Sequence, residues 1–146
     1  MKNRMKIYMG LVLIILIGIK SFAESETVSI HGTIDFEGEG TIFISLVDAD
    51  NFSAEGIDIQ SMARKITSEE ISTGTLEFIF NNVPKGDYGI RTYIDENGNG
   101  ILDTGTFGPK EPWGMSFKRR KPLCLPDFSQ IRFTLDSDKI IQIKVD

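Results

Sequence analysis

Six runs of this chain alternate apolar and polar residues with a period of two, and that pattern limits the fold more than any other feature. A period of two puts every second side chain on one face of a strand, so each run has one face fit for burial and one fit for water. Val28, Ile30, Gly32, Ile34 and Phe36 share the first face, and Ile42, Ile44 and Leu46 the second. The turn residues Glu37 to Gly40 between them predict a hairpin. Leu76, Phe78 and Phe80 point inward from the third run, Pro84-Lys85-Gly86 then turns the chain, and the run Tyr88 to Ile94 follows. Ile131, Phe133 and Leu135, then Ile141, Ile143 and Val145, are the inward residues of the last two runs. Residues 49–73 stay open: Gly56 to Lys65 reads as one or two helical turns or as an irregular edge strand, and Thr67-Ser68-Glu69-Glu70 gives no decision. Four of the five prolines lie in 104–127, where neither a helix nor a central strand can persist. That stretch reads as a long ordered excursion, packed back on the body through Phe107, Trp113, Phe117 and Leu125. Short strands with no long helix predict an all-β fold, an antiparallel β-sandwich.

The beginning of the chain reads as an address. Lys2, Arg4 and Lys6 precede an apolar run from Ile7 to Ile19, and Ser21-Phe22-Ala23 offers the small residues that a signal peptidase needs. The run is too short for a bilayer core, which takes about 20 residues. The expectation is a signal peptide over 1–23 and one sandwich domain over 24–146, exported to a periplasmic or extracellular location. Removal of 1–23 takes four of the 16 basic residues and none of the 21 acidic ones, so the net charge goes from −5 to −9. An acidic exported domain is a poor general partner for nucleic acid or an anionic membrane. Cys124, the single cysteine, cannot form an intramolecular disulfide, and its place between Leu123 and Leu125 suits a buried, inert thiol.

The chemistry concentrates in Asp95-Glu96-Asn97-Gly98-Asn99-Gly100-Ile101-Leu102-Asp103. Oxygen-bearing side chains fall at the first, third, fifth and ninth positions, the spacing of a calcium loop. Calcium takes six to eight oxygens at about 2.3–2.6 Å, and only a tightly curled backbone brings alternate side chains to one point. Gly100 holds the sixth position, where a positive φ is required, and the Ile101 carbonyl falls at the seventh. Asp95, Asn97, Asn99, Ile101 and Asp103 are therefore the predicted Ca²⁺ ligands, with Glu111 the remaining carboxylate. The twelfth position is Thr106, and a strand precedes the loop, so this is not an EF-hand. Asp, Asn and Gly also build ordinary tight turns, but a bare turn does not account for four spaced ligands.

No nucleophile and base pair is suggested by one histidine, His31, on the polar side of a strand, or by one cysteine between leucines. The expected protein is not an enzyme; the alternative is a hydrolase that assembles two carboxylates in space. Lys118-Arg119-Arg120-Lys121 is either solvated loop or an anchor for an anionic glycan, with Trp113 and Phe117 as stacking surfaces.

Val83-Pro84-Lys85-Gly86-Asp87-Tyr88, leading through a strand into the 95–103 loop, resembles an uncharacterised family of exported bacterial proteins, domain of unknown function family 2141. The likeness extends to Gly40 through Asp48, to Pro109-Lys110-Glu111-Pro112-Trp113-Gly114-Met115-Ser116 and to Pro126-Asp127-Phe128. It implies a prealbumin-like or immunoglobulin-like sandwich and export, with no established activity. Where the family usually has His before Asp-Glu-Asn, this chain has Ile94, and the spacing from Asp103 to the Pro-x-Glu segment is shorter. The expected function is that of an exported, non-catalytic binding or interaction module with a calcium loop, whose partner is a protein or glycan surface.

Overall fold

A computed structural model describes residues 26–53, 58–117 and 126–146. The signal peptide expected over 1–23, Cys124, Leu125 and the basic run 118–121 lie outside the described residues. Strands β1 (Thr27–Asp35), β4 (Thr75–Pro84) and β10 (Lys139–Lys144) form one sheet in the order β10-β1-β4. The second sheet runs β3 (Gln60–Lys65), β2 (Thr41–Val47), β5 (Gly86–Asp95), β8 (Trp113–Met115), and β9 (Phe133–Leu135) pairs with the start of β5. The inner faces of both sheets share one core: Ile30 and Ile34 from β1, Phe78 and Phe80 from β4, Ile42, Ile44 and Leu46 from β2, Ile90 and Ile94 from β5. The fold is all-β, two open sheets over one apolar interior, as the alternation requires.

Three local expectations are corrected. β1 and β2 are not a hairpin: each belongs to a different sheet, and residues 36–40 carry the chain across the core. Phe36, 5% exposed, plugs the crossing and Gly40 closes it. A side chain at Gly40 would come within 2.3 Å of the Asp95 carbonyl oxygen, on a backbone at φ +147°. The Pro84–Gly86 turn likewise switches sheets. Second, the sheets are not wholly antiparallel, because β10 runs parallel to β1, with His31 opposite Ile140 and Ile34 opposite Ile143. Alternation fixes which face a residue occupies and says nothing about strand direction. Third, Gln130 and Ile131 belong to a single helical turn, α2 (Phe128–Ile131), capped by the Asp127 carboxylate, which accepts from Ser129 N–H at 2.8 Å.

The open stretch resolves into an edge strand and a short helix. β3 pairs antiparallel with β2, and α1 (Ser68–Thr73) begins at a capping box in which Thr67 accepts from Glu70 N–H and the Glu70 carboxylate accepts from Thr67 N–H. The helix ends at Gly74 in the left-handed region, φ +70°. Within 104–117 the chain forms a small hairpin, β6 (Thr104–Gly105) with β7 (Gly108–Pro109), and then returns as β8 along β5. Trp113 and Phe117 pack edge to face at 6.1 Å, but Phe107 is fully exposed, so it does not pack back as expected. Trp113 and Asp146 exchange backbone hydrogen bonds at 3.4 and 3.3 Å, which joins the two sheets at the end where β5 runs out.

Candidate functional site

β5 ends at Asp95, and the chain leaves the sheet there with one strongly directed side chain. Asp95 is 3% exposed, and its carboxylate is the hub of the following loop. Oδ1 accepts from the N–H of Gly98 at 2.7 Å and of Asn99 at 3.2 Å, and Oδ2 accepts from Gly100 N–H at 2.8 Å. Three amides can face one carboxylate only if the chain curls tightly, and Gly98 and Gly100 supply the curl at φ +77° and +80°. Gly100 adopts the positive φ expected from its position, and Gly98 shares it.

The third and fifth positions repeat the device. Asn97 Oδ1 accepts from Asn99 N–H at 3.0 Å, and Asn99 Oδ1 accepts from Ile101 N–H at 2.9 Å. Their amide nitrogens turn the other way, onto the ninth position. Asn97 Nδ2 donates to Asp103 Oδ2 at 2.6 Å, and Asn99 Nδ2 lies 3.2 Å from both Asp103 oxygens. Asn97, Asn99 and Asp103 are thus brought together as the spacing predicts, and Asp95 holds the backbone beneath them. Ile101 enters through its N–H, while its side chain is exposed.

Glu111 has a different place from a converging ligand. It is 6% exposed, and its two oxygens accept from Glu96 N–H and Asp103 N–H, both at 3.0 Å. It therefore clamps the two ends of the loop together from below. Lys110 N–H adds a bond to the Asp103 carbonyl at 2.8 Å, which ties the β6–β7 hairpin to the loop. Tyr93 is a contact the sequence did not single out. Its hydroxyl donates to the Gly100 carbonyl at 3.1 Å, and the signal was its place two residues before Asp95, hence on the same face of β5. Burial pushes the Tyr93 phenol above its ordinary pKa, and the Asp95 and Glu111 carboxylates push it the same way.

Lone pairs decide whether a hard cation fits. A carboxylate offers about four acceptor positions; Asp95 has three taken by N–H groups, Glu111 two, and Asp103 is met by amide nitrogens that can be turned over. Rotation of either Asn amide by half a turn presents oxygen toward Asp103, at the loss of its bond from a backbone N–H, roughly 1 kcal/mol, and of its Nδ2 hydrogen bond to the Asp103 carboxylate, about 1.5–3 kcal/mol. Among the described residues no three His, Cys, Asp or Glu side chains are grouped as a metal site. A cation here would be held mainly by amide and carbonyl oxygens with few charges, the donor set of a weak calcium site rather than of zinc.

His31 stands exposed on the outer face of β1 between Ile140 and Ile79, remote in register from the 95–103 loop. No helix among the described residues is long and apolar enough to cross a membrane. The family model described as "Uncharacterized protein conserved in bacteria (DUF2141)" matches residues 28–143, which takes in both sheets and the whole loop. Neither the curated proteins nor the solved structures gave a match.

Proposed function

The chain belongs to the DUF2141 family of uncharacterised bacterial proteins, and from that premise we propose that it is an exported, non-catalytic module of prealbumin-like or immunoglobulin-like form that binds one calcium ion in its 95–103 loop. The observation that carries this reading is the convergence of Asn97 and Asn99 on the Asp103 carboxylate at 2.6–3.2 Å, above a backbone already curled on Asp95. Turning the two amides over brings their oxygens to Asp103, beside the remaining lone pair of Asp95 at the base of the loop. Few charges, and the loss of the hydrogen bonds that both asparagine amides make to the backbone and to Asp103, suit the weak end of calcium affinity, about 10⁻⁴–10⁻³ M, where extracellular modules operate. The signal-like segment 1–23 supports export, and the surface beside the loop is where a protein or glycan partner is proposed to bind.

Calorimetric titration of the purified chain with calcium chloride is the test, beside melting curves in EDTA and in excess calcium. The expected result is millimolar-range uptake and a stabilisation of about 1.4 kcal/mol at ten times Kd, both lost in Asp103→Ala. No heat of binding and coincident melting curves would remove the ion from the account.

A further inference from the structure

The 95–103 loop holds the chain's two Asn-Gly pairs, Asn97-Gly98 and Asn99-Gly100, one after the other, and no other asparagine of the chain precedes a glycine. Asn-Gly is the pair most given to cyclise, because glycine puts no side chain in the way of its own nitrogen as that nitrogen closes on the asparagine Cγ. The reaction needs water, a polarised carbonyl and a free nitrogen, and the loop supplies the first two. All four residues are exposed, so water reaches both sites. Each side-chain carbonyl meets a backbone donor: Asn97 Oδ1 accepts from Asn99 N–H at 3.0 Å, and Asn99 Oδ1 accepts from Ile101 N–H at 2.9 Å. Such donors stabilise the negative charge that gathers on the oxygen when the carbon is attacked. The free nitrogen is denied. Gly98 N–H and Gly100 N–H, which carry the two attacking nitrogens, both donate to the Asp95 carboxylate, at 2.7 Å to Oδ1 and 2.8 Å to Oδ2. A nitrogen so held must give up a charge-assisted bond before it can attack.

We propose that Asn97 and Asn99 are self-modification sites and that Asp95 is the lock on both. Once released, the glycine nitrogen forms a bond to Cγ and the Cγ–Nδ2 bond breaks; the NH₂ takes up the glycine amide proton and leaves as ammonia. Water then opens the five-membered imide at either carbonyl, which leaves aspartate or isoaspartate. One water enters and one ammonia departs, with no oxidant, reductant or cofactor. The product acts on the loop. Asn97 Nδ2 and Asn99 Nδ2 are the donors that meet the Asp103 carboxylate at 2.6–3.2 Å, so each event sets a second carboxylate where a donor had been, and attraction becomes repulsion. Isoaspartate also lengthens the backbone of a tightly curled turn. The change is one-way, and it undoes the arrangement that had prevented it.

Incubation of the full chain at neutral pH in EDTA, followed by mass spectrometry of the tryptic peptide 92–110, tests this independently of calcium; that peptide carries both sites. Each event adds one mass unit, and fragment ions separate position 97 from position 99. The chain unfolded in urea gives the intrinsic rates. Folded wild type is expected to be slower at both sites by roughly 10–150-fold, the weight of one charge-assisted bond. Asp95→Asn distinguishes the lock from general loosening. Its oxygen keeps Gly98 N–H while its NH₂ turns to Gly100, so Asn99 is expected to quicken and Asn97 to stay slow. Tyr93→Phe frees the Gly100 carbonyl but leaves Gly100 N–H on Asp95, and is expected to match wild type at both sites. Folded wild-type rates equal to those in urea overturn the proposal. So does equal acceleration at both sites in an Asp95→Asn chain that circular dichroism shows to be folded, or acceleration in Tyr93→Phe. Should Asp95→Asn not fold, wild type and Tyr93→Phe measured against the urea rates decide the matter.

Discussion

Replacing Asp95 by Asn removes one oxygen from the hub of the loop while keeping its size. In the better of its two orientations, Asn keeps an oxygen toward the Gly98 and Asn99 N–H groups and points its NH₂ at Gly100 N–H, now 2.8 Å away as donor against donor. One charge-assisted bond is lost, worth about 1.5–3 kcal/mol, and two others weaken because a neutral acceptor holds an N–H roughly half as well. Relief of the carboxylate's own burial, at 3% exposure, offsets part of this. The net expectation is a loss of about 3 kcal/mol, which for a domain of this size lowers Tm by roughly 10 °C. Thermal unfolding followed by circular dichroism in EDTA isolates this structural part from any ion. Repeating it in calcium separates the second role: if Asp95 also ligates, the variant loses the calcium-dependent increment as well. A Tm within a degree or two of wild type in EDTA would refute the view that Asp95 holds the loop, whatever calcium does.

Thr92 faces the core between Ile90 and Ile94 at 3% exposure, and its hydroxyl has no hydrogen-bond partner among the described residues. Thr92→Val keeps the shape and removes the unsatisfied group, so a urea midpoint raised by about 1 kcal/mol is expected, and a lowered midpoint would mean the hydroxyl is satisfied. Glu70 accepts two hydrogen bonds from Arg64, which together with its bonds to Thr67 hold its carboxyl at about 2, against an ordinary 4.5. A depressed carboxyl stabilises the fold fully above its unfolded value and loses that contribution as pH falls from 4.5 toward 2. With Arg64 and Glu70 partly exposed, at 37% and 20%, solvent screening reduces this to about 1 kcal/mol. Wild type and Glu70→Gln should therefore converge in stability as the pH is lowered through that window, and a constant gap would show that the charge is not the source.

What could be read in the sequence follows what is encoded locally. Alternation marked the inward residues of β1, β2, β4 and β5 because a strand face is a property of neighbours two apart. It did not separate a hairpin from a crossing between sheets at residues 36–40, since both need glycine-rich turns; Gly40 is required by its approach to Asp95 fifty-five positions away, which no local pattern carries. β3 and α1 were obscure for the same reason. An edge strand needs only one buried face, and Gln60, Met62 and Arg64 fill it with long amphipathic stems. The Thr67-x-x-Glu70 capping box is the local signal in the letters that marks the start of α1. At the site, the spacing of Asp95, Asn97, Asn99 and Asp103 was legible because all four act within one loop. The clamp made by Glu111 and the Tyr93 hydroxyl contact depend on how the chain returns along β5, and the spacing alone allowed Glu111 only a ligand's part.

That clamp bears on how much an ion can do. The loop already holds itself through three N–H groups on Asp95, two on Glu111 and the Asn turns at 97 and 99, all within the chain. An ion that arrives at a backbone so organised need not fold it, unlike one that nucleates a zinc finger, where binding and folding are a single event. Its effect on stability then comes only through mass action on the native state, growing with the logarithm of calcium and having no threshold. A loop whose amides 98–100 exchange slowly in EDTA, and only modestly slower in calcium, is what this reasoning requires; amides that are protected only when calcium is present would mean that Asp95 and Glu111 do not suffice, and that the ion shapes the loop.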